Sequence, residues 1–245
     1  MIALVASHTL SQLLGQRRSL LMGLLAAIPV LVAVLVRVLA ELEEDPREVA
    51  LGIVGGLVLN LVLPLVALVF GTAAIGQEIE DGTLVYLLTK PIARWKLLVG
   101  KVLAAWLATT VVVGVSAAIA GATLLLGRPA DLLLPAFVAA VAWGALAYVS
   151  LFAALSVRYG RALIIGLVYV FVWEATLSRF APGTRLFSVR QYTVSIVEAL
   201  ANTPARFLDA QVDTTTAVVM STAVVLVTGW YGVRLLQRYE LRERS

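Results

Sequence analysis

Few of the 245 residues are of a type that does chemistry, and their spacing excludes most of it. One histidine and no cysteine leave no thiolate pair and no imidazole set for a metal. His8 has no ligand-type partner in sequence and reads as an interfacial side chain. Gly100-Lys101 invites comparison with a phosphate-binding loop, but such a loop needs a hydroxyl residue after the lysine, where Val102 stands, and a glycine at the position of Trp95. Apart from the acidic run 41–48, the acids that cluster are Glu78, Glu80 and Asp81, beside Gly82-Thr83 and upstream of Arg94 and Lys101. Taken singly, the acids read as a solvated helix end, and the two cations as anchors reaching lipid headgroups. Glu174 stands alone, with twelve uncharged residues between it and Arg161.

What positions these residues is a bilayer. Hydrophobic side chains make up 61% of the chain, charged ones 14%, and mean hydropathy is +0.96, against an apolar share of ~45 to 50% in soluble domains. A hydrocarbon core ~30 Å thick takes ~20 apolar residues per helical crossing, so the length allows several crossings and no separate catalytic domain. The basic pI of 9.6 serves orientation before it suggests nucleic acid, and no nucleic-acid partner is expected.

The expected fold is an all-α polytopic membrane protein forming one transmembrane domain over 1–245. Residues 1–18 predict an amphipathic helix on the membrane surface, with Leu4, Leu10, Leu13 and Leu14 on its apolar side, and not a cleaved leader. Six crossings follow at about 19–39, 49–75, 102–126, 132–157, 162–178 and 214–236. Asp45-Pro46-Arg47-Glu48 reads as a capped helix start, and Pro64 predicts a kink in the second crossing. Gly52, Gly55 and Gly56 would permit close helix approach there. The N-terminus, the 77–101 region, the 157–161 turn and the C-terminal tail together carry a net charge of plus seven, and the opposite side minus three, which returns the chain's +4. Basic loops stay inside, so both termini are expected in the cytoplasm.

The outer segment 179–213 predicts a helical hairpin. Ser188 and Gln191 form a capping box, Val189, Tyr192, Ile196, Val197 and Leu200 follow at helical spacing, and Thr203-Pro204 looks like a second start, with Phe207 and Leu208 as its apolar contacts. A plain loop over the last crossings is the alternative. Glu174 lies ~20 Å along its helix, beneath the outer surface. Such a charge either pairs with a cation such as Arg179 or Arg37, or serves a substrate path or gate. Trp106, Trp143, Trp173 and Trp230 read as an interfacial belt, with a stacking surface as the other option.

Between the second and third crossings, Asp81-Gly82 reads as a turn, Thr83 as a cap, and Leu84, Leu87 and Leu88 as one face of a short helix that Pro91 ends. A two-turn peg with one apolar side fits a groove on a soluble partner.

This segment resembles that of type-2 ABC exporter permeases, whose mark is an acidic pair before Gly-Thr-Leu, two leucines, a proline, a Ser-Arg pair and a downstream Gly-Lys. The match lies at Glu78, Glu80, Gly82, Thr83, Leu84, Leu87, Leu88, Pro91, Arg94, Gly100 and Lys101. The chain departs at Val85, where glutamate is common, and at Ala93, where serine is usual. Tyr169 to Glu174, Pro182-Gly183 and Ser188 are also similar to the branch that includes the permease of nitrous-oxide-reductase maturation. The resemblance implies a subunit of a bacterial plasma (inner) membrane exporter. The 83–90 helix would dock on a separate ATPase, present in two copies, which binds ATP and Mg, while this chain holds no cofactor and is no enzyme itself. Arg158 in the 157–161 turn would make a second contact, and a second permease chain, identical or not, would complete the path through the first and fifth crossings.

Two other classes stand beside this one. An ATP-independent carrier or channel would show interrupted helices in matching halves, and no such pair is evident. A lipid-modifying enzyme would need a catalytic cluster, which the composition does not supply. Arginine far outnumbers lysine, which points to a GC-rich bacterial source. The cargo is not written in the residues, though a soft metal would lack His, Cys and clustered Met ligands.

Overall fold

A computed structural model describes residues 2–15, 17–39, 45–83, 93–126, 132–177, 182–201, 208 and 210–243. Among these the regular structure is helical, with no strand. The elements are α1 (Ile2–Leu14), α2 (Arg17–Leu39), α3 (Pro46–Glu80), α4 (Arg94–Leu124), α5 (Leu133–Arg158), α6 (162–177), α7 (Val189–Ala201) and α8 (Thr214–Glu243). A 3-10 turn, Pro182–Phe187, leads into α7.

Five of the six expected crossings, within α2, α3, α4, α5 and α8, are long and apolar enough to span a bilayer. The remaining one, α6, is apolar only over Ala162–Thr176 and falls below that length. The long helices overrun the expected spans. α3 has 35 residues and α4 has 31, about 52 and 46 Å at 1.5 Å per residue, well beyond a ~30 Å core. Both described ends of the expected polar loop 77–101 are therefore helix: 77–80 completes α3 and 94–101 opens α4.

Asp45 caps α3 as its sequence predicts, accepting from Arg47 N at 3.1 Å, with Pro46 in the first turn. The deviation expected at Pro64 takes a specific form. Residues Val54–Val62 wind as a π-helix immediately before the proline, and Leu63 N–H reaches Val58 O. A proline ring collides with the carbonyl four residues back, here Asn60, and the wider turn relieves the collision. A second π-helix, Tyr169–Leu177, forms the C-terminal half of α6 without a proline.

α5 is the hub, packed on α3, α4, α7 and α8. Lipid tails provide no hydrophobic drive between helices, so such interfaces rely on small residues and interhelical hydrogen bonds. Ala140, Ala145, Ala147 and Ala153 of α5 are buried. At Gly71 of α3, an added Cβ would lie 3.1 Å from Phe152 Cβ and 3.2 Å from the Val149 carbonyl oxygen. Gly52 and Gly56 have no such neighbour among the described residues, whereas Gly55 meets Leu208. Trp106 donates to Ala142 O at 2.7 Å, tying α4 to α5, and Trp143 donates to Ser221 Oγ at 2.8 Å, tying α5 to α8. These two indoles are interhelical ties. The Ser116 hydroxyl bonds the Ala26 carbonyl and joins α4 to α2. α2 otherwise turns Leu20, Leu24, Leu31 and Leu35 outward.

Replacing Gly71 by leucine forces the α3–α5 backbones apart, and overpacking of this kind costs about 1 to 3 kcal/mol. The expected result is a lower melting temperature in detergent and reduced yield, while Gly52→Leu leaves both unchanged.

Candidate functional site

The described parts of the marked segment are the C-terminal end of α3 and the N-terminal end of α4. Ala74 and Glu78 sit one turn apart on one face of α3, and Lys101 of α4 reaches both. Its Nζ donates to Glu78 Oε1 at 2.6 Å and to Ala74 O at 2.8 Å. The Lys101 side chain is 3% exposed and that of Glu78 22%. The lysine thus turns inward and does not reach for headgroups. An ammonium in apolar surroundings is tolerable only when paired and hydrogen-bonded, so Glu78 and the Ala74 carbonyl account for its burial.

Gly100 explains the other half of the dipeptide. α1 packs along the start of α4, and a Cβ at position 100 would lie 3.0 Å from Val5 Cβ and 3.2 Å from Ile2 O. The N-terminal helix is therefore in contact with the same turn that carries the ion pair.

Gly82 ends α3. Its φ of 67° is left-handed, the region that favours glycine at a helix end, and the preceding turn is closed by Asp81 N to Gln77 O at 2.8 Å. Thr83 Oγ1 donates back to Glu78 O at 3.4 Å, towards the helix just finished. Leu84, Leu87, Leu88 and Pro91 lie outside the described residues, as does Val85. Ala93 occupies the N-cap of α4 without a side-chain bond. A serine there would supply the missing acceptor, worth about 1 kcal/mol in typical helices. Arg94 is the first residue of α4 and half-buried.

The second expected contact lies alongside. Arg158 ends α5, exposed, with its guanidinium 4.9 Å from the Tyr159 ring. A cavity of about 80 Å³ joins this turn to α3 and α2, lined by Arg18, Gln77, Glu80, Ser156, Tyr159 and Gly160. Glu80 is exposed at its rim and takes no part in the Lys101 pair.

Glu174 is elsewhere, about 18 Å along α6 from Ala162 by helical rise. It is 2% exposed. Among the described residues its partners include two hydroxyls and a helix start. It accepts from Ser188 Oγ at 2.5 Å, Tyr169 OH at 2.9 Å and Val189 N at 2.9 Å. The carboxylate thereby caps α7 from a different helix, where the dipole favours an anion. Arg37 instead donates to Leu126 O at 3.2 Å, and Arg179 lies outside the described residues. Of the expected capping box, Ser188 Oγ accepts from Gln191 N at 3.3 Å, while the Gln191 side-chain Oε1 accepts from Gln211 N at 3.2 Å. Thr203, Pro204 and Phe207 are outside the described residues.

Sequence reasoning missed the rest of this cluster. Arg190 Nε donates to the side-chain Oδ1 of Asn60 within the π-helical stretch of α3, and the buried Tyr148 hydroxyl lies near Glu174. Both π-helices thus meet the start of α7. The available signal was the cation Arg190 between two apolar residues of the helix start, Val189 and Tyr192.

Lys101→Met leaves Glu78 half-enclosed without its counter-ion and is expected to cost about 2 to 4 kcal/mol, with Glu78→Gln on the same chain recovering most of it. Thermal unfolding of the two single variants and the double variant measures this coupling. Glu174→Gln places an amide N–H₂ against donors and is expected to cost about 1 to 3 kcal/mol. Folded yield and transport measured together assign the residue: loss of yield with normal transport per folded molecule removes any gate role. A family model described as ABC-2 family transporter protein matches residues 3–240, as a family and not at the level of a branch. No curated protein matches the chain. With five helices among the described residues long and apolar enough to cross a membrane and a match over nearly its whole length, the chain belongs to the ABC-2 transporter family, as the multi-pass permease component of an ABC transporter.

Proposed function

We propose that this permease couples ATP hydrolysis by a separate ABC ATPase to export, and that residues 83–90 are the docking helix. The observation that carries the reading is the Lys101–Glu78 pair at 2.6 Å. It bridges the helices that enter and leave the docking segment, so a push on that segment moves α3 and α4 as one fork. Helices of about 52 and 46 Å give the fork the reach to carry displacement across the hydrocarbon core. Glu78, Glu80, Gly82, Thr83 and Arg94 shape its tip, and Leu84, Leu87 and Leu88 provide the apolar face.

Arg158 and the 157–161 turn make the second contact, and the cavity between Glu80 and Tyr159 lies between the two. The charge balance puts this face and both termini in the cytoplasm of a bacterial inner membrane, with α1 at the interface. α6 serves as a short fifth crossing of six, and α7 caps the outer side. Two ATPase copies and a second permease chain complete the assembly, with the outward apolar face of α2 available to that chain. Glu174, joining α6 to the cap, is the candidate outer gate post.

Leu87→Asp puts a charge in the apolar face. It is expected to leave membrane insertion intact and to abolish co-purification of the ATPase in mild detergent. Normal capture by this variant would refute the docking helix, and substrate flux by the wild-type chain alone would favour an ATP-independent carrier.

A further inference from the structure

A second cavity, of about 300 Å³, lies on the lipid-facing side between α4, α5 and α8. Val99, Leu103, Leu146, Leu226, Gly229 and Trp230 line it, and Ser150 is among the few polar groups there. Its apolar wall is exposed at Val99, Leu226 and Trp230. A Cβ on Gly229 would meet no described atom within 4 Å, so the space before it is open.

The mouth is cationic and aromatic. Arg234, one turn beyond Trp230, holds its guanidinium 4.4 Å from that indole's centroid. On α4, Trp95 is half exposed one turn before Val99, and Lys96 Nζ lies 5.5 Å from its ring. The acids of the tail, Glu240 and Glu243, come further along α8.

We infer that this groove binds one anionic phospholipid, with an acyl chain between α4 and α8 and the phosphate at Arg234 and Lys96. An apolar slot ending in tryptophan and cation matches the sequence of tail, interface and headgroup in a lipid. A second copy of the chain docking here across a two-fold axis would bring Arg234 towards like charge. The inference rests on the orientation proposed above, which puts the mouth at the cytoplasmic leaflet, where anionic lipids give a negative surface. Arg234 then holds a lipid against the same turn of α4 that carries Lys101, and the bound lipid braces the fork.

The test is native mass spectrometry of the full chain extracted from vesicles of equal phosphatidylglycerol and phosphatidylcholine. Wild type is expected to retain phosphatidylglycerol about five-fold over phosphatidylcholine, the ratio for one basic contact near an anionic surface. Arg234→Gln brings the ratio towards one, and Gly229→Leu, which fills the open space, lowers retention of both lipids. Should Gly229→Leu fail to fold, Leu103→Trp narrows the groove from α4 and is expected to have the same effect. Equal retention of the two lipids by wild type, or wild-type retention in a groove-filling variant, overturns the inference. So does dimer loss without lipid loss, which assigns the groove to a second copy. ATPase capture read on the same samples separates the outcomes: lost headgroup preference with intact capture removes only the lipid site, whereas lost capture in wild type removes the coupling reading.

Discussion

A charge on a helix that continues into hydrocarbon has to be met by the protein, because lipid offers neither counter-ion nor hydrogen bond. Lys101 and Glu174 are the two places where this constraint acts on the described residues most plainly. Lys101 is met by Glu78 and the Ala74 carbonyl, and the pairing fixes how α3 and α4 lie against each other at one end. Glu174 is met by Tyr169, Ser188 and the first amide of α7, and that pairing fixes α7 to α6 at the other. The long apolar stretches between tolerate sliding and tilting far better than either contact does.

The two contacts differ in kind. The first is an ion pair with partial access to water, next to a chain reversal closed by a left-handed glycine. In the proposed reading it stiffens the root of a lever whose tip is apolar. The second is a carboxylate capping another helix, surrounded by two stretches of π-helix. π-Helical turns occur often at functional sites because their extra width leaves room for register change. An outer cap held this way would respond to movement of α3 through Asn60 and of α6 through Glu174, which places both rods in contact with the same small helix.

How much of this was readable follows the range of each signal. The cap at Asp45, the turn at Asp81-Gly82 and the apolar runs are local and follow from neighbouring residues. The acidic and basic groups of the marked segment were visible as a set, but the pairing of Glu78 with Lys101 spans a chain reversal, and nothing in their separation distinguishes it from two independent surface charges. Taken singly Lys101 reads as a headgroup anchor, and by resemblance as part of the coupling segment; neither reading contains its pairing with Glu78. Glu174 stands out in the sequence as a charge in need of a partner, but a search for cations overlooks the helix N-terminus that also serves it as a counter-charge. Helix ends were underestimated at 77–80 and 94–101, since hydropathy marks the bilayer and not the helix that protrudes from it. The apolar run expected at 162–178 coincides with α6, but its π-helical winding over Tyr169–Leu177 has no signal in hydropathy.

The central claim is that the tip of the α3–α4 fork touches a nucleotide-hydrolysing neighbour. A photoreactive amino acid placed at Thr83, exposed at that tip, and irradiated in intact membranes tests it most directly. The account predicts a covalent adduct with the ATPase subunit; adducts with lipid alone would contradict it.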